Sequence, residues 1–278
     1  MRSVLGIDAA WTIKNPSGVA LVAEIDQEWR LIRAAGSYSE FVNSSNLHAS
    51  EDHKDHPCNA NDLLGACNDL LGASVELIAV DMPLSFLPIT GRRVADDSVS
   101  RIYSAKWCGT HSPNSNRPGE VGRTLYDQFT LAGYPLMTER ISGRGMIEVY
   151  PHPALVELMG AEKRLPYKHS KMRSYWPDHS SDERRFELRK VWREIVSAMQ
   201  DKVSGIQEAL DPNMEFTHGF EWKRFEDTLD AIVCAFVGTC AMDGHAVALG
   251  NVEAAIWVPT RAGINSILSA TRKPYPRG

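Results

Sequence analysis

Short apolar runs alternate with amphipathic stretches along the chain, and this pattern predicts a mixture of strands and helices. Three successive apolar runs predict strands at residues 3–8, 19–23 and 29–35. Because only short segments separate them, we expect an antiparallel meander. Apolar residues at helical spacing then predict a helix over 61–72, and the next apolar run predicts a strand over 77–81. A connecting helix favours parallel pairing of that strand with the first one.

The second half of the chain is dominated by helical periodicity. Further predicted helices lie at about 122–132, 153–159, 182–209 and 221–242, and further predicted strands at 146–150 and 253–258. Residues 41–60 are polar and lack periodicity, which predicts a loop. The whole pattern predicts one α/β domain over 1–278, with 86–145 and 161–215 as insertions or elaborations on a central sheet.

Three of these predicted elements carry acidic residues beside apolar runs. Asp8 and Asp81 each end a predicted central strand, and Asp227 and Asp230 share one face of a predicted helix. An acid beside a buried apolar stripe is unfavourable unless it binds something. Carboxylates that meet from two strand ends and one helix suit a hard divalent cation such as Mg²⁺ or Mn²⁺. The sequence therefore predicts metal ligands at Asp8, Asp81, Asp227 and Asp230.

Each acidic residue also has an ordinary structural interpretation. Asp8 or Asp81 alone could cap a turn at the end of its strand. Asp227 could be an acid of the first helical turn, favoured by the helix dipole. Glu148, on the opposite face of its strand from its apolar neighbours, either faces solvent or contacts a metal or water. His152, between two prolines, is either a loop residue or orients a water or phosphate.

Basic residues cluster in two segments. Arg92 and Arg93 follow the strand that ends in Asp81, which favours a role in holding a phosphate. Within 161–176, cations alternate with aromatic side chains, a composition typical of segments that stack on bases and follow phosphates. The alternative for this segment is a solvated, salt-bridged loop. Lys168 and Lys171 are its predicted substrate-binding residues.

Composition narrows the class of protein only a little. The chain has 278 residues, of which 43% are hydrophobic and 23% charged, as in ordinary globular proteins. The net charge of −5 does not support a nucleic-acid-binding surface over the whole molecule. Five cysteines without a CxxC motif argue against a disulfide scaffold or a structural zinc site. With no signal-peptide pattern and no long apolar run, we expect a cytoplasmic protein without membrane contact.

The order of the acidic motifs resembles the ribonuclease H-like superfamily. Gly6-Ile7-Asp8 followed by Ser17-Gly18-Val19-Ala20, and the helix pair Asp227 and Asp230, look like the pattern of RuvC-type resolvases. Nearly the whole chain is similar to an uncharacterised bacterial and archaeal family described as predicted nucleases of the RNase H fold. The motifs that carry this resemblance lie at 79–84, 91–93, 148–151 and 227–231.

The resemblance implies a ribonuclease H-like mixed sheet, an antiparallel meander plus parallel strands, flanked by helices. It implies a Mg²⁺- or Mn²⁺-dependent nuclease that cleaves DNA or RNA. Asp8, Asp81 and Asp230 would then be catalytic, with Glu148 or Asp227 completing the metal shell or positioning the water. The chain departs from the RuvC-type pattern at Asp81, where a glutamate is usual, so the substrate does not follow from the resemblance.

Two other functions remain open from the sequence. An actin-like ATP-binding protein or small-molecule kinase shares the meander and the strand-end aspartate. That class needs glycine-rich phosphate loops in two duplicated domains, and neither feature is found in the sequence. A non-catalytic binding module would keep the fold without using the metal site. Nucleic acid and a second copy of the chain are the partners that the sequence allows.

Overall fold

Seven strands form one mixed sheet in the computed structural model, which describes residues 1–12, 15–43 and 59–265. The strands are β1 (Ser3–Asp8), β2 (Gly18–Ile25), β3 (Glu28–Ala35), β4 (Leu77–Val80), β5 (Gly145–Val149), β6 (Ala246–Gly250) and β7 (Ala255–Pro259). The helices are α1 (Tyr38–Asn43), α2 (Ala60–Leu71), α3 (Val94–Tyr103), α4 (Glu120–Leu131), α5 (Pro151–Met159), α6 (Met172–Tyr175), α7 (Ser181–Gln200), α8 (Ile206–Ala209) and α9 (Gly219–Met242). Within the described residues, no helix combines the length and apolarity needed to cross a membrane.

The strand directions confirm the predicted α/β class. The sheet order is β3-β2-β1-β4-β5-β7-β6, in which β1, β2 and β3 form the antiparallel meander. Strands β4, β5 and β7 run parallel to β1, and β6 is antiparallel to β7. This arrangement is compatible with the ribonuclease H-like sheet that the resemblance implies. The parallel strands therefore bring their carboxyl ends to one edge of the sheet.

Helix α9 packs directly across β1, β2 and β4, and its residues from Phe225 to Ala241 are all buried. Two glycines make this close approach fit. A side chain at Gly6 would collide with the backbone of Ala231, and one at Gly18 with the backbone of Asp227. The absence of a Cβ at these positions lets α9 lie against the strands. The contact sets the acids of α9 beside the end of β1.

Apolar side chains alternate between the two faces of the sheet. On β1, Val4 joins the core beneath α9, whereas Leu5 and Ile7 join a second core formed with α2 and α4. Strands covered on both faces read as continuous apolar runs, which explains why the central strands were predictable. The acids begin where these buried runs end.

The structure corrects the predicted elements in several places. The loop predicted for 41–60 is wrong over its first residues, because α1 continues to Asn43; residues 44–58 lie outside the described part. The single helix predicted over 182–209 is two helices, α7 and α8, separated by residues 201–205. Helix α3 and strand β6 were not predicted. Strand β6 is half-exposed at the sheet edge, and its short, Ala-rich apolar run does not distinguish a strand from a helix.

Candidate functional site

Acids from three separate elements meet at one cavity on the carboxyl edge of the sheet. Asp8 ends β1, Asp81 directly follows β4, and Asp227 lies in the middle of α9; all three line a cavity of about 350 Å³. The parallel register places Ile7 beside Val80, and the Asp81 amide donates to the Ile7 carbonyl at 2.8 Å. The two strand-end acids are thus delivered by adjacent, hydrogen-bonded strands.

Asp230 lies one turn further along α9 and is fully buried. Its negative charge raises the pKa of both Asp8 and Asp81, so the four predicted metal ligands lie within electrostatic reach of one another. Asp227 is not in the first turn of its helix, because α9 begins at Gly219. The helix-dipole interpretation of Asp227 is therefore wrong.

Burial and mutual repulsion raise the pKa values of the cavity carboxyls. Burial, and then the charge of Asp230, raise the pKa of Asp81 to about 8. The same two causes hold the pKa of Asp8 well above its usual range. Burial raises the pKa of Asp227 to about 6 although Lys223 opposes the shift. These directions indicate an environment with too little positive charge for its acids.

Within the described part of the chain, two lysines form ion pairs with the acids of α9. Lys223, one turn before Asp227 on α9, pairs with Asp227 and with the buried Glu226 at 3.5 Å. Lys168 pairs with Asp230 and with Glu226 at 3.4 Å. Sequence reasoning missed Glu226 and Lys223 as members of the site. Their positions three and four residues from the other acids of α9 were the available signal.

The segment before α6 is fastened to α9 by hydrogen bonds on both sides of Lys168. The buried Tyr167 hydroxyl donates to Asp230 Oδ1 at 2.7 Å, and the His169 amide donates to Glu226 Oε2 at 2.6 Å. Tyr167 was also missed, because its contact depends on a residue far away in sequence. Lys171 is exposed in the 3₁₀ turn that follows and does not line the cavity.

Glu148 does not line the cavity, although its charge contributes to the raised pKa of Asp81, and its carboxylate belongs to a hydrogen-bonded cluster around Arg93. Arg93 donates from Nη1 to Glu148 Oε2 at 2.6 Å and from Nη2 to Oε1 at 2.7 Å. The amide of Leu84 donates to the same carboxylate at 2.7 Å. The buried Asp96 of α3 accepts from Arg93 at 2.9 and 3.0 Å. The solvent-facing interpretation of Glu148 is therefore wrong, and the guanidinium of Arg93 is engaged inside the protein.

Two further predicted residues, Arg92 and His152, do not line the cavity. Arg92 donates to Asp97 at 2.5 Å and to Ser100 at 2.6 Å, beside α3. His152 is in the first turn of α5, not in a loop, and burial holds its pKa well below the usual range. The cavity rim instead contains His111 and Arg117.

The sequence from residue 6 to residue 254 matches a family described as "Protein of unknown function (DUF429)". The chain belongs to this family. The matched range contains the cavity acids and both lysines, but the description of the DUF429 family names no activity. No curated protein and no solved structure matches the chain.

The donors of this DUF429 cavity fit a hard divalent cation by chemical type. Carboxylate oxygens are the preferred ligands of Mg²⁺ and Mn²⁺. Asp227 Oδ2 is buried and has no hydrogen-bond partner, which leaves one oxygen free for an ion. Among the described residues, however, no three His, Cys, Asp or Glu side chains are already close enough to enclose a metal. Asp8, Asp81 and Asp227 would have to draw together around it.

Proposed function

We propose that this protein is a divalent-metal-dependent phosphodiesterase that hydrolyses the backbone of DNA or RNA. The observation that carries the proposal is the common cavity of Asp8, Asp81 and Asp227, three acids brought together from two strand ends and a helix. A structural role would not require these acids to share a solvent-accessible cavity. The raised pKa values of these three acids are a second reason to expect that the cavity favours a bound positive charge.

In this function the three carboxylates hold the cation through their oxygen atoms. A bound Mg²⁺ or Mn²⁺ would neutralise a phosphate oxygen and lower the pKa of an attacking water. Without a cation, the acids would repel a phosphodiester. The free Oδ2 of Asp227 and the mutual repulsion of Asp8 and Asp81 both favour cation binding.

The rim of the cavity suits a polyanion with bases. Arg117 and His111 are exposed there and offer hydrogen-bond donors to phosphate oxygens. The guanidinium of Arg117 lies 5.4 Å from the ring centroid of Trp11, which also lines the cavity. A cation beside an indole ring can hold a phosphate while the ring stacks on a base.

One observation favours a second candidate, a non-catalytic binding module. Lys168 already neutralises Asp230, the residue that the resemblance implies as a metal ligand. In that case the cavity would bind a partner without cleaving it. The described residues form one sheet with a single meander, so they do not support the duplicated actin-like architecture.

The decisive experiment combines metal binding with cleavage. We expect the wild-type protein to bind Mn²⁺ in calorimetry and to cleave DNA or RNA in its presence. Asp81→Asn should lose both properties while remaining folded by circular dichroism. Asp69→Asn, an exposed acid on α2, is the matched control and should keep both. Metal binding without cleavage of any single- or double-stranded polymer would favour the binding module, and cleavage by Asp81→Asn would refute the proposed site.

A further inference from the structure

Lys168 occupies a position inside the acidic cavity that a surface lysine does not ordinarily take. Its side chain is only 19% exposed, and its ammonium pairs with Asp230 and Glu226 on consecutive turns of α9. Lys168 also lines the cavity together with Asp8, Asp81 and Asp227. The lysine is therefore charged and lies among the acids that surround the cavity.

The surrounding contacts hold this lysine in place. Tyr167 and His169, its neighbours in sequence, hydrogen-bond to Asp230 and Glu226 respectively. The indole of Trp192 on α7 donates to the Tyr167 carbonyl at 2.8 Å. Three consecutive residues are thus attached to α9 or α7, so the lysine is positioned by the fold.

The same contacts engage the carboxylate oxygens of two acids in hydrogen bonds and ion pairs. Asp230 Oδ1 accepts from Tyr167 and Oδ2 from Lys168. Glu226 Oε2 accepts from the His169 amide, and Oε1 faces the ammonium groups of Lys168 and Lys223. Asp227 differs, because its Oδ2 has no hydrogen-bond partner. Only part of the acidic cluster is therefore ready to receive an ion.

We infer that the ammonium of Lys168 takes the place of a second divalent ion. The site then holds one metal ion, bound by Asp8, Asp81 and Asp227, and Lys168 supplies the other positive charge to the phosphate. This inference rests on the proposed function, and it excludes Asp230 from the metal ligands. Two-metal phosphodiesterases need carboxylates that serve both ions, and here Lys168 and Tyr167 engage the carboxylate that would do so.

The test counts metal ions and does not depend on cleavage. Metal-free protein is titrated with Mn²⁺ by calorimetry, and the wild type is expected to bind one ion per chain. Lys168→Met frees oxygens of Asp230 and Glu226, so this variant is expected to bind a second ion. Lys171→Met, an exposed lysine of the same segment, is the control and should bind one ion.

A second variant covers the case in which Lys168→Met does not fold because Asp230 loses its counter-ion. Lys168→Met combined with Asp230→Asn removes both charges and should bind one ion with wild-type affinity. Loss of that ion would overturn the inference, since it would make Lys168 or Asp230 part of the first metal site.

Two further results would also overturn the inference: two ions in the wild type, or one ion in a folded Lys168→Met variant. An absence of Mn²⁺ binding in all variants would refute the proposed function as well. The failure of the inference is therefore distinguishable from the failure of the function on which it rests.

Discussion

Two groups of buried or partly buried carboxylates lie at the same edge of the sheet, and they are opposite in character. Around Arg93, the carboxylates of Glu148 and Asp96 accept hydrogen bonds from one guanidinium, and every contact is internal. Around the cavity, burial and the charges of Asp230, Asp227 and Asp81 raise the pKa of Asp8, and Asp227 keeps an oxygen without a partner. The carboxylates of the first group have their hydrogen-bond partners and counter-ion inside the protein. Those of the second group do not.

The difference shows that burial of an acid does not by itself mark a functional site. Glu148 lies inside β5 beside Val80, the residue before Asp81, so the two acids come from adjacent parallel strands. What separates them is the counter-ion, because a guanidinium can satisfy two carboxylates in fixed geometry. Among the described residues, no arginine pairs with Asp8, Asp81 or Asp227, and the two lysines neutralise only part of the acids. A functional site is therefore recognised by charge that the protein leaves uncompensated beside open space.

The largest change in stability is expected when the Arg93 cluster is broken. Arg93→Met leaves Glu148 and Asp96 buried without a counter-ion, so the free energy of unfolding should fall by about 3–5 kcal/mol. Chemical denaturation measures this. Arg92→Met is the matched control: its side chain is 32% exposed, and its loss should change stability by at most about 1 kcal/mol. Similar stabilities for the two variants would contradict the structural role of the cluster.

At the cavity, by contrast, removing a charged side chain is expected to raise the free energy of unfolding. Asp8→Asn removes one of several carboxylates that repel each other, so the metal-free protein should gain about 0.5–2 kcal/mol in stability. The same variant should lose Mn²⁺-dependent cleavage. Denaturation in a chelating buffer measures the first effect, and a cleavage assay measures the second. Marked destabilisation of the metal-free protein would show that Asp8 is a structural cap.

A pH titration sharpens the comparison further. The pKa of Asp81 is about 8 in the folded protein against an ordinary 3.8, so between these values the folded chain binds more protons than the unfolded one. Raising the pH through this range therefore lowers the free energy of unfolding. In chelating buffer, the melting temperature of the wild type should fall more steeply than that of Asp81→Asn from about pH 5 to pH 8. Parallel curves would mean that Asp81 is already ionised at the lower pH.

The smallest expected effect concerns the cavity rim. Arg117→Gln should weaken binding of nucleic acid and reduce the slope of log affinity against log salt by about 1, because one phosphate contact is lost. Fluorescence anisotropy at several salt concentrations measures this slope. Arg123→Gln is the control, since Arg123 pairs with Asp127 and does not line the cavity. Equal slopes of log affinity against log salt for the two variants would show that Arg117 does not contact the nucleic acid.

Much of the cavity could be predicted because its acids lie at the ends of strands or inside a helix with strong local patterns. Asp8 and Asp81 follow apolar runs that are covered on both faces of the sheet, and Asp227 and Asp230 lie beside the apolar residues of α9. Periodicity is a local property and needs no knowledge of the tertiary structure. Strand β6 escaped prediction because periodicity alone does not assign so short an apolar run to a strand or to a helix.

The sequence by itself predicted the antiparallel meander, the parallel pairing of β4 with β1, the helix α9 and the acids that these elements carry. Only the tertiary structure decided which acids have counter-ions. Arg93 and Glu148 are separated by 55 positions, and Lys168 and Asp230 by 62. Such pairs meet only when the sheet and the surrounding segments have packed, and no local pattern specifies a partner at that separation. For the same reason, Lys168 was predicted as a basic residue for substrate, but its place among the acids was not.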